Sequence, residues 1–142
     1  MKVGVPGDCM VSGRGGYRFQ LGVTTRKSEE VMLWRRIDGE MRPELEPVSV
    51  RGRLDYGSGR VVEVVSSDGC DIERMLFLPD TRVLSDRGCV LVADLGSDDR
   101  LLPRNTLVVK VTPLYVKARC IALPGVGARF CDVDGVFVML GI

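Results

Sequence analysis

The sequence predicts an all-β domain, an antiparallel sandwich or barrel of roughly 10–12 short strands with little helix. Three observations carry this expectation. The 142 residues include 22 Val against 4 Ala, the opposite of what a helical bundle uses. The 17 Gly and 7 Pro break the chain at short intervals. Between the breaks, apolar residues recur at every second position, which is the period of a half-buried strand.

Taken in order, Ser12-Gly13-Arg14-Gly15-Gly16 reads as a flexible turn. It leads into a strand in which Tyr17, Phe19, Leu21 and Val23 alternate with Arg18, Gln20 and Gly22. Ser28 to Arg36 is the one segment with a helical alternative, because Ser28 can serve as an N-cap. Its Val31-Met32-Leu33-Trp34 run suits a strand about equally. Glu30 to Ile37 reads as that strand, and Asp38-Gly39 then signals a hairpin. Two prolines make Met41 to Pro47 a loop or an edge segment. Val48, Val50 and Leu54 share one strand face, with Ser49, Arg51 and Arg53 on the other. Tyr56 to Gly59 reads as a turn, and Arg60 to Val65 as the next strand, closed by Ser66-Ser67-Asp68-Gly69.

In the second half, Met75 to Leu78 is a short strand ended by Pro79-Asp80. Arg87-Gly88 is a turn, Cys89 to Leu95 a strand, and Gly96-Ser97-Asp98-Asp99 a loop. Leu107, Val109 and Val111 alternate with Val108 and Lys110. Val116, Ala118, Cys120 and Ala122 alternate with Lys117, Arg119 and Ile121. Pro124 to Gly127 is a turn. Ala128 to Val133 and Val136 to Ile142 then form a hairpin through Asp134-Gly135. No linker divides the chain, so residues 1–142 are expected to form a single domain.

The last strand departs from the alternation, being apolar from Val136 to Leu140. Such a strand must be covered on both faces. The cover comes either from the middle of the fold or from a second subunit. In the second case Val136, Phe137, Val138, Met139 and Leu140 are the candidate interface.

The absence of His excludes a Ser-His-Asp or Cys-His site, a His metal ligand and an imidazole pH switch. The five cysteines, Cys9, Cys70, Cys89, Cys120 and Cys131, contain no C-x-x-C pair. They read as free, buried thiols in a reducing compartment, and no metal or other cofactor is expected. Pro6, Gly7 and Asp8 interrupt the N-terminal segment, so no signal peptide is expected. The longest apolar run is too short to span a bilayer. The expected setting is intracellular or within a particle, with no membrane partner.

Among the acids, Asp132-Val133-Asp134-Gly135 has the spacing of half a calcium loop but lacks the remaining ligands, so it reads as a hairpin turn. Asp68, Asp71 and Glu73 read as a solvated turn, and Asp94, Asp98 and Asp99 as loop acids. An enzyme of nucleotide hydrolysis would need several of these carboxylates to converge on Mg²⁺.

The chain carries 20 basic and 19 acidic side chains, a net charge of +1. Residues 1–60 hold 11 basic and 8 acidic groups. That tilt is too slight for a nucleic-acid binder, so none is expected as a partner. Within it, Arg35, Arg36, Arg42, Arg51 and Arg53 form a candidate anion patch, since clustered guanidinium groups grip phosphate bidentately.

Two family resemblances bear on that patch. Ser12 to Leu21 resembles the first motif of trimeric dUTPases, although Arg18 or Gln20 stands where that motif has Asp. Ser66-Ser67-Asp68-Gly69 and Gly127-Ala128-Arg129-Phe130 resemble segments of PilZ domains, small barrels that bind cyclic di-GMP. Val64 replaces the Asp of the PilZ motif, and the arginines lack its spacing. Either resemblance implies a nucleotide- or phosphate-binding barrel.

The leading expectation is different. With no catalytic constellation and a fully apolar last strand, the sequence predicts a non-catalytic structural or protein-interaction module. Its partner would be another protein or itself, as in a self-assembling component of a virus or phage particle or another complex.

Overall fold

A computed structural model describes residues 4–6, 10–12, 18–20, 29–43, 48–50, 53–122 and 129–139, with side-chain environments over 32–43, 61–115 and 129–139. The strands are β1 (Gly4–Pro6), β2 (Met10–Ser12), β3 (Arg18–Gln20), β4 (Glu29–Val31), β5 (Leu33–Ile37), β6 (Glu40–Pro43), β7 (Val48–Val50) and β8 (Arg53–Ser67). They continue as β9 (Ile72–Phe77), β10 (Arg82–Ser85), β11 (Gly88–Leu91), β12 (Arg100–Leu101), β13 (Thr106–Ala122), β14 (Phe130–Val133) and β15 (Val136–Met139). Val92–Asp94 is a single 3-10 turn where a strand through Leu95 was expected. The fold is all-β and antiparallel, as predicted. No helix among the described residues is long and apolar enough to cross a membrane.

Thirteen strands form one connected sheet with the path β3-β2-β14-β15-β10-β12-β13-β8-β9, and β4 pairs with β7 apart from it. The main core joins Cys131 and Val133 of β14 with Val136 and Val138 of β15, Val62 and Val64 of β8, and Met75 and Phe77 of β9. In a flat sheet, β14 and β9 would stand six strand spacings apart, roughly 29 Å. Sharing one core requires the sheet to curl over itself.

The two Asp-Gly hairpins form as the sequence indicates. Asp38 and Gly39 take φ of 52° and 80°, and Asp134 and Gly135 take 49° and 81°. Two left-handed residues in succession give the twist that a two-residue hairpin needs. The segment with the helical alternative is extended, as β4 and β5.

One expected break is absent. Tyr56 to Gly59 is not a turn, and Pro113 does not interrupt its strand either. β8 runs for 15 residues and β13 for 17, paired from Arg53↔Ala122 to Ser67↔Leu107 with one bulge between Val108 and Lys110. The continuous partner strand supplies hydrogen bonds that local turn propensity cannot outweigh. On its other side, β13 pairs with β12 only at Thr106 and Leu107 and with β1 only at Cys120 to Ala122. Pro113, opposite Val62, lies between these contacts. A proline is tolerated there because that edge of β13 is unpaired among the described residues.

The apolar run of β15 is covered within the chain. Val136 and Val138 enter the main core, while Phe137 and Met139 pack on the other face with Leu84, Phe130, Trp34, Met41, Cys89 and Leu102. Val136, Phe137 and Val138 are all buried, so their own fold leaves no surface for a partner subunit to cover. Leu140 lies outside the described residues. Trp34 seals this second cluster, its ring centroid 5.2 Å from that of Phe137, and Phe130 lies edge-on to Phe137 at 6.4 Å.

Candidate functional site

The topology brings an early and a late part of the chain to one place. Val11 of β2 pairs with Val133 of β14, and β14 forms a hairpin with β15, the last described strand. β10 flanks the hairpin through Val83↔Val138. This junction of β2, β14, β15 and β10 is the candidate site.

Backbone contacts fix it firmly. Phe137 N donates to Leu102 O at 2.7 Å, and Leu102 N donates to Leu84 O at 3.1 Å. Asp132 Oδ1 accepts the N–H of Gly135 at 2.8 Å, so this acid shapes the hairpin turn as the sequence suggested. Among the described residues, no group of three or more acids and thiols is placed to hold a metal ion. The carboxylate convergence required by Mg²⁺-dependent hydrolysis is therefore not seen there.

Two groups with nucleophilic chemistry are buried near the junction. Thr81, immediately before β10, is fully buried, and its carbonyl accepts the N–H of Val92 at 3.0 Å. Cys131, opposite Val138, is 1% exposed. Burial disfavours the thiolate, and Asp132 adds to this, so the Cys131 thiol is pushed up to about 12 from 9.0. It is a protonated core residue at neutral pH. Its burial adds stability that is full below about pH 9 and is lost as the pH rises toward 12. Of the other described thiols, Cys70 is exposed and Cys89 half-buried, so the expectation of buried thiols holds only for Cys131. Cys9 and the side chain of Cys120 lie outside the described residues. Iodoacetamide at pH 8 is expected to modify Cys70 readily and Cys131 only as fast as the protein unfolds. Peptide mapping by mass spectrometry reads the difference.

Of the candidate anion patch, the structure brings Arg35 and Arg42 together and sets Arg36 apart. Arg35 and Arg42 face each other across β5 and β6, both exposed, and Arg42 pairs with Glu40 at 3.4 Å. Arg36 pairs with Met41 one register on and so projects from the opposite face. Arg51 and the side chain of Arg53 lie outside the described residues.

Two arginines that the sequence did not single out make the built ion pairs. Arg87 donates from Nε to Asp99 Oδ1 at 2.7 Å and from Nη2 to Asp99 Oδ2 at 3.0 Å, and Nη2 also reaches Asp94 O at 2.6 Å. Asp99 is therefore no simple loop acid. It is buried, and its Oδ2 also accepts the N–H of Gly96. Arg104 donates to Glu73 Oε1 at 2.7 Å and lies 3.6 Å from Asp68 Oδ2. These partners are 12 and about 30 residues apart in sequence, so no local pattern signals them.

The sequence matches no protein-family profile and no curated protein. Solved structures do resemble the fold. A DnaB intein from Synechocystis superposes with a TM-score of 0.70 at 16% identity, covering 99% of both chains. An intein-like domain from Clostridium thermocellum gives 0.68 at 15% identity, again over 99% of both. A variant of the Ssp DnaB mini-intein gives 0.67 at 17% identity, over 100% of this chain and 97% of the other. The chain has the intein fold.

That likeness corrects the functional expectation. The fold is that of inteins and intein-like domains across its whole length, which overturns the reading as a particle component or structural module. It equally overturns the PilZ-like and dUTPase-like barrels. The signal was spread over strand order, which the sequence does not display.

Proposed function

We propose that this chain is an intein-like domain that acts on the polypeptide it belongs to, by rearranging a peptide bond of that polypeptide. The observation that carries the reading is the end-to-end likeness to the DnaB intein, with 99% of each chain covered by the other. The meeting of β2 with the β14–β15 hairpin supports it. A domain that works on its own chain gains from holding early and late segments together, because the reaction is then intramolecular.

Moving a peptide bond requires a thiol or hydroxyl nucleophile and a route for its proton. With no His in the chain, that route runs through carboxylates, backbone groups or water. Loss of a positioned imidazole costs on the order of 10²–10⁴ in rate. The buried and protonated Cys131 is excluded as the nucleophile. Of the other thiols, Cys9 directly precedes β2 in the sequence and is the candidate nucleophile.

The test places the chain between two folded reporter proteins. The purified fusion is incubated at pH 7 with and without hydroxylamine and followed by intact-mass spectrometry. The expected result is slow release or joining of the reporters over hours to days, faster with hydroxylamine and reduced by Cys9→Ala. A fusion that keeps its full mass under both conditions overturns the proposal.

A further inference from the structure

The turns at one end of the curled sheet meet on a single side chain, Arg104, which follows β12. Its Nη1 donates to Glu73 Oε1 at 2.7 Å and to the Asp134 carbonyl at 3.3 Å, and its Nη2 lies 3.6 Å from Asp68 Oδ2. Its own backbone N–H donates to Gly135 O at 3.4 Å. Asp68 belongs to the turn between β8 and β9, Glu73 to β9, and Asp134 and Gly135 to the turn of the β14–β15 hairpin.

Along the sheet path, β15 is separated from β8 by β10, β12 and β13. Arg104 therefore bridges parts of the sheet that do not pair with each other. Both sides are shaped to receive it. Gly135 leaves room for the arginine stem, since a Cβ there would overlap Arg104 Cδ and Cγ. Asp68 is held by its own turn, its Oδ1 accepting the N–H groups of Cys70 and Asp71 at 2.8 Å each, which leaves Oδ2 toward Arg104.

We infer that Arg104 is an acid-releasable clasp that fastens the β14–β15 hairpin to the β8–β9 turn. The guanidinium is charged at every accessible pH, so only its partners can switch. The charged groups facing it are Glu73, Asp68 and Asp134. Protonating the carboxylates that face it removes the attraction and leaves the guanidinium only the Asp134 carbonyl, which it exchanges readily for water. Arg104, Glu73 and Asp68 are all about a third exposed, so the clasp adds little to global stability. Its effect is local, because its side-chain contacts join the hairpin turn only to the β8–β9 turn and the start of β9. Opening the clasp loosens the hairpin that carries the candidate junction. The inference does not depend on the proposed function, since its test measures hydrogen exchange and not bond rearrangement.

The experiment is amide hydrogen exchange on the intact chain, corrected for intrinsic rates, for wild type, R104Q, R104K and E73Q. R104Q is expected to exchange about tenfold faster at Gly135 to Phe137, with β8 and β13 core amides unchanged as the internal control. E73Q is expected to show part of that change, and R104K to recover part of it. In wild type, protection of the hairpin turn relative to the core is expected to fall as the pH drops below about 4, because the Asp71 and Cys70 N–H groups hold the Asp68 carboxyl below its ordinary 3.8, while R104Q stays flat. Equal hairpin protection in wild type and R104Q overturns the inference. So does a parallel pH response in the two proteins. E73Q changes a part-exposed strand residue and keeps the question answerable if R104Q folds poorly.

Discussion

Replacing Phe77 by alanine is expected to lower stability by about 3–5 kcal/mol, the range for emptying a buried aromatic site. Phe77 is 0% exposed and is the largest fully buried side chain among the described residues. It stands on β9, the far end of the sheet path from β14, yet shares a core with Cys131 and Val133. The residue thus fills the space that the curling sheet encloses. Removing it takes away contacts from both ends of the curl at once, and neighbouring strands paired along their length cannot collapse into the gap. Against a total stability of about 5–15 kcal/mol, this is a large fraction. For a chain of this size, the midpoint of thermal unfolding is expected to drop by roughly 10–15 °C. Calorimetry or a urea titration checks it. A loss below about 1 kcal/mol would mean that β9 does not close the core.

Asp99→Ala is the second large effect. The carboxylate is fixed by two guanidinium bonds from Arg87 and one from the Gly96 N–H, and the Asp99 carbonyl accepts the N–H of Val108 at the start of the long ribbon. Removing the side chain leaves the Gly96 donor without this partner and frees the loop over residues 94–99. Arg87 is half exposed and regains water, which limits the penalty. The expected cost is about 2–3 kcal/mol. Asp99→Asn keeps one acceptor and should cost less.

The same pair makes stability sensitive to acid. Hydrogen bonding to Arg87 holds the Asp99 carboxyl below its ordinary 3.8, against a smaller opposing effect of burial. A depressed carboxyl adds stability that is full above its unfolded value and is lost as the pH falls through its folded value. The loss is therefore expected below about pH 4, and Asp99→Asn should remove that part of the acid response. Denaturant titrations of both proteins from pH 6 to pH 2.5 show it as converging curves.

The reach of the sequence is clearest at the hairpins. Asp38-Gly39 and Asp134-Gly135 were legible because the required left-handed backbone is a property of two adjacent residues. Alternation located most strands for the same reason. The errors fall where a distant partner overrides the local signal. Tyr56 to Gly59 looks like a turn, yet it lies within the paired ribbon of β8 and β13. The candidate site fared likewise. The Asp132 turn was visible in four residues, whereas Arg104 and Arg87 were not, since their partners arrive from other hairpins.

By itself, the sequence determined the class of the fold, its tight turns, the absence of imidazole chemistry and the need to cover the last strand on both faces. These follow from the period of apolar residues, from backbone preferences at single positions and from composition. Only the tertiary structure decided that the chain covers Val136, Phe137 and Val138 itself, and that Arg35 and Arg36 project from opposite faces. It alone gave the strand order that places β2 beside β14 and links the chain to the intein fold. Strand order depends on which of many similar Val-rich faces meet across long loops. That choice rests on the summed packing of the whole sheet, and no short stretch of residues encodes it.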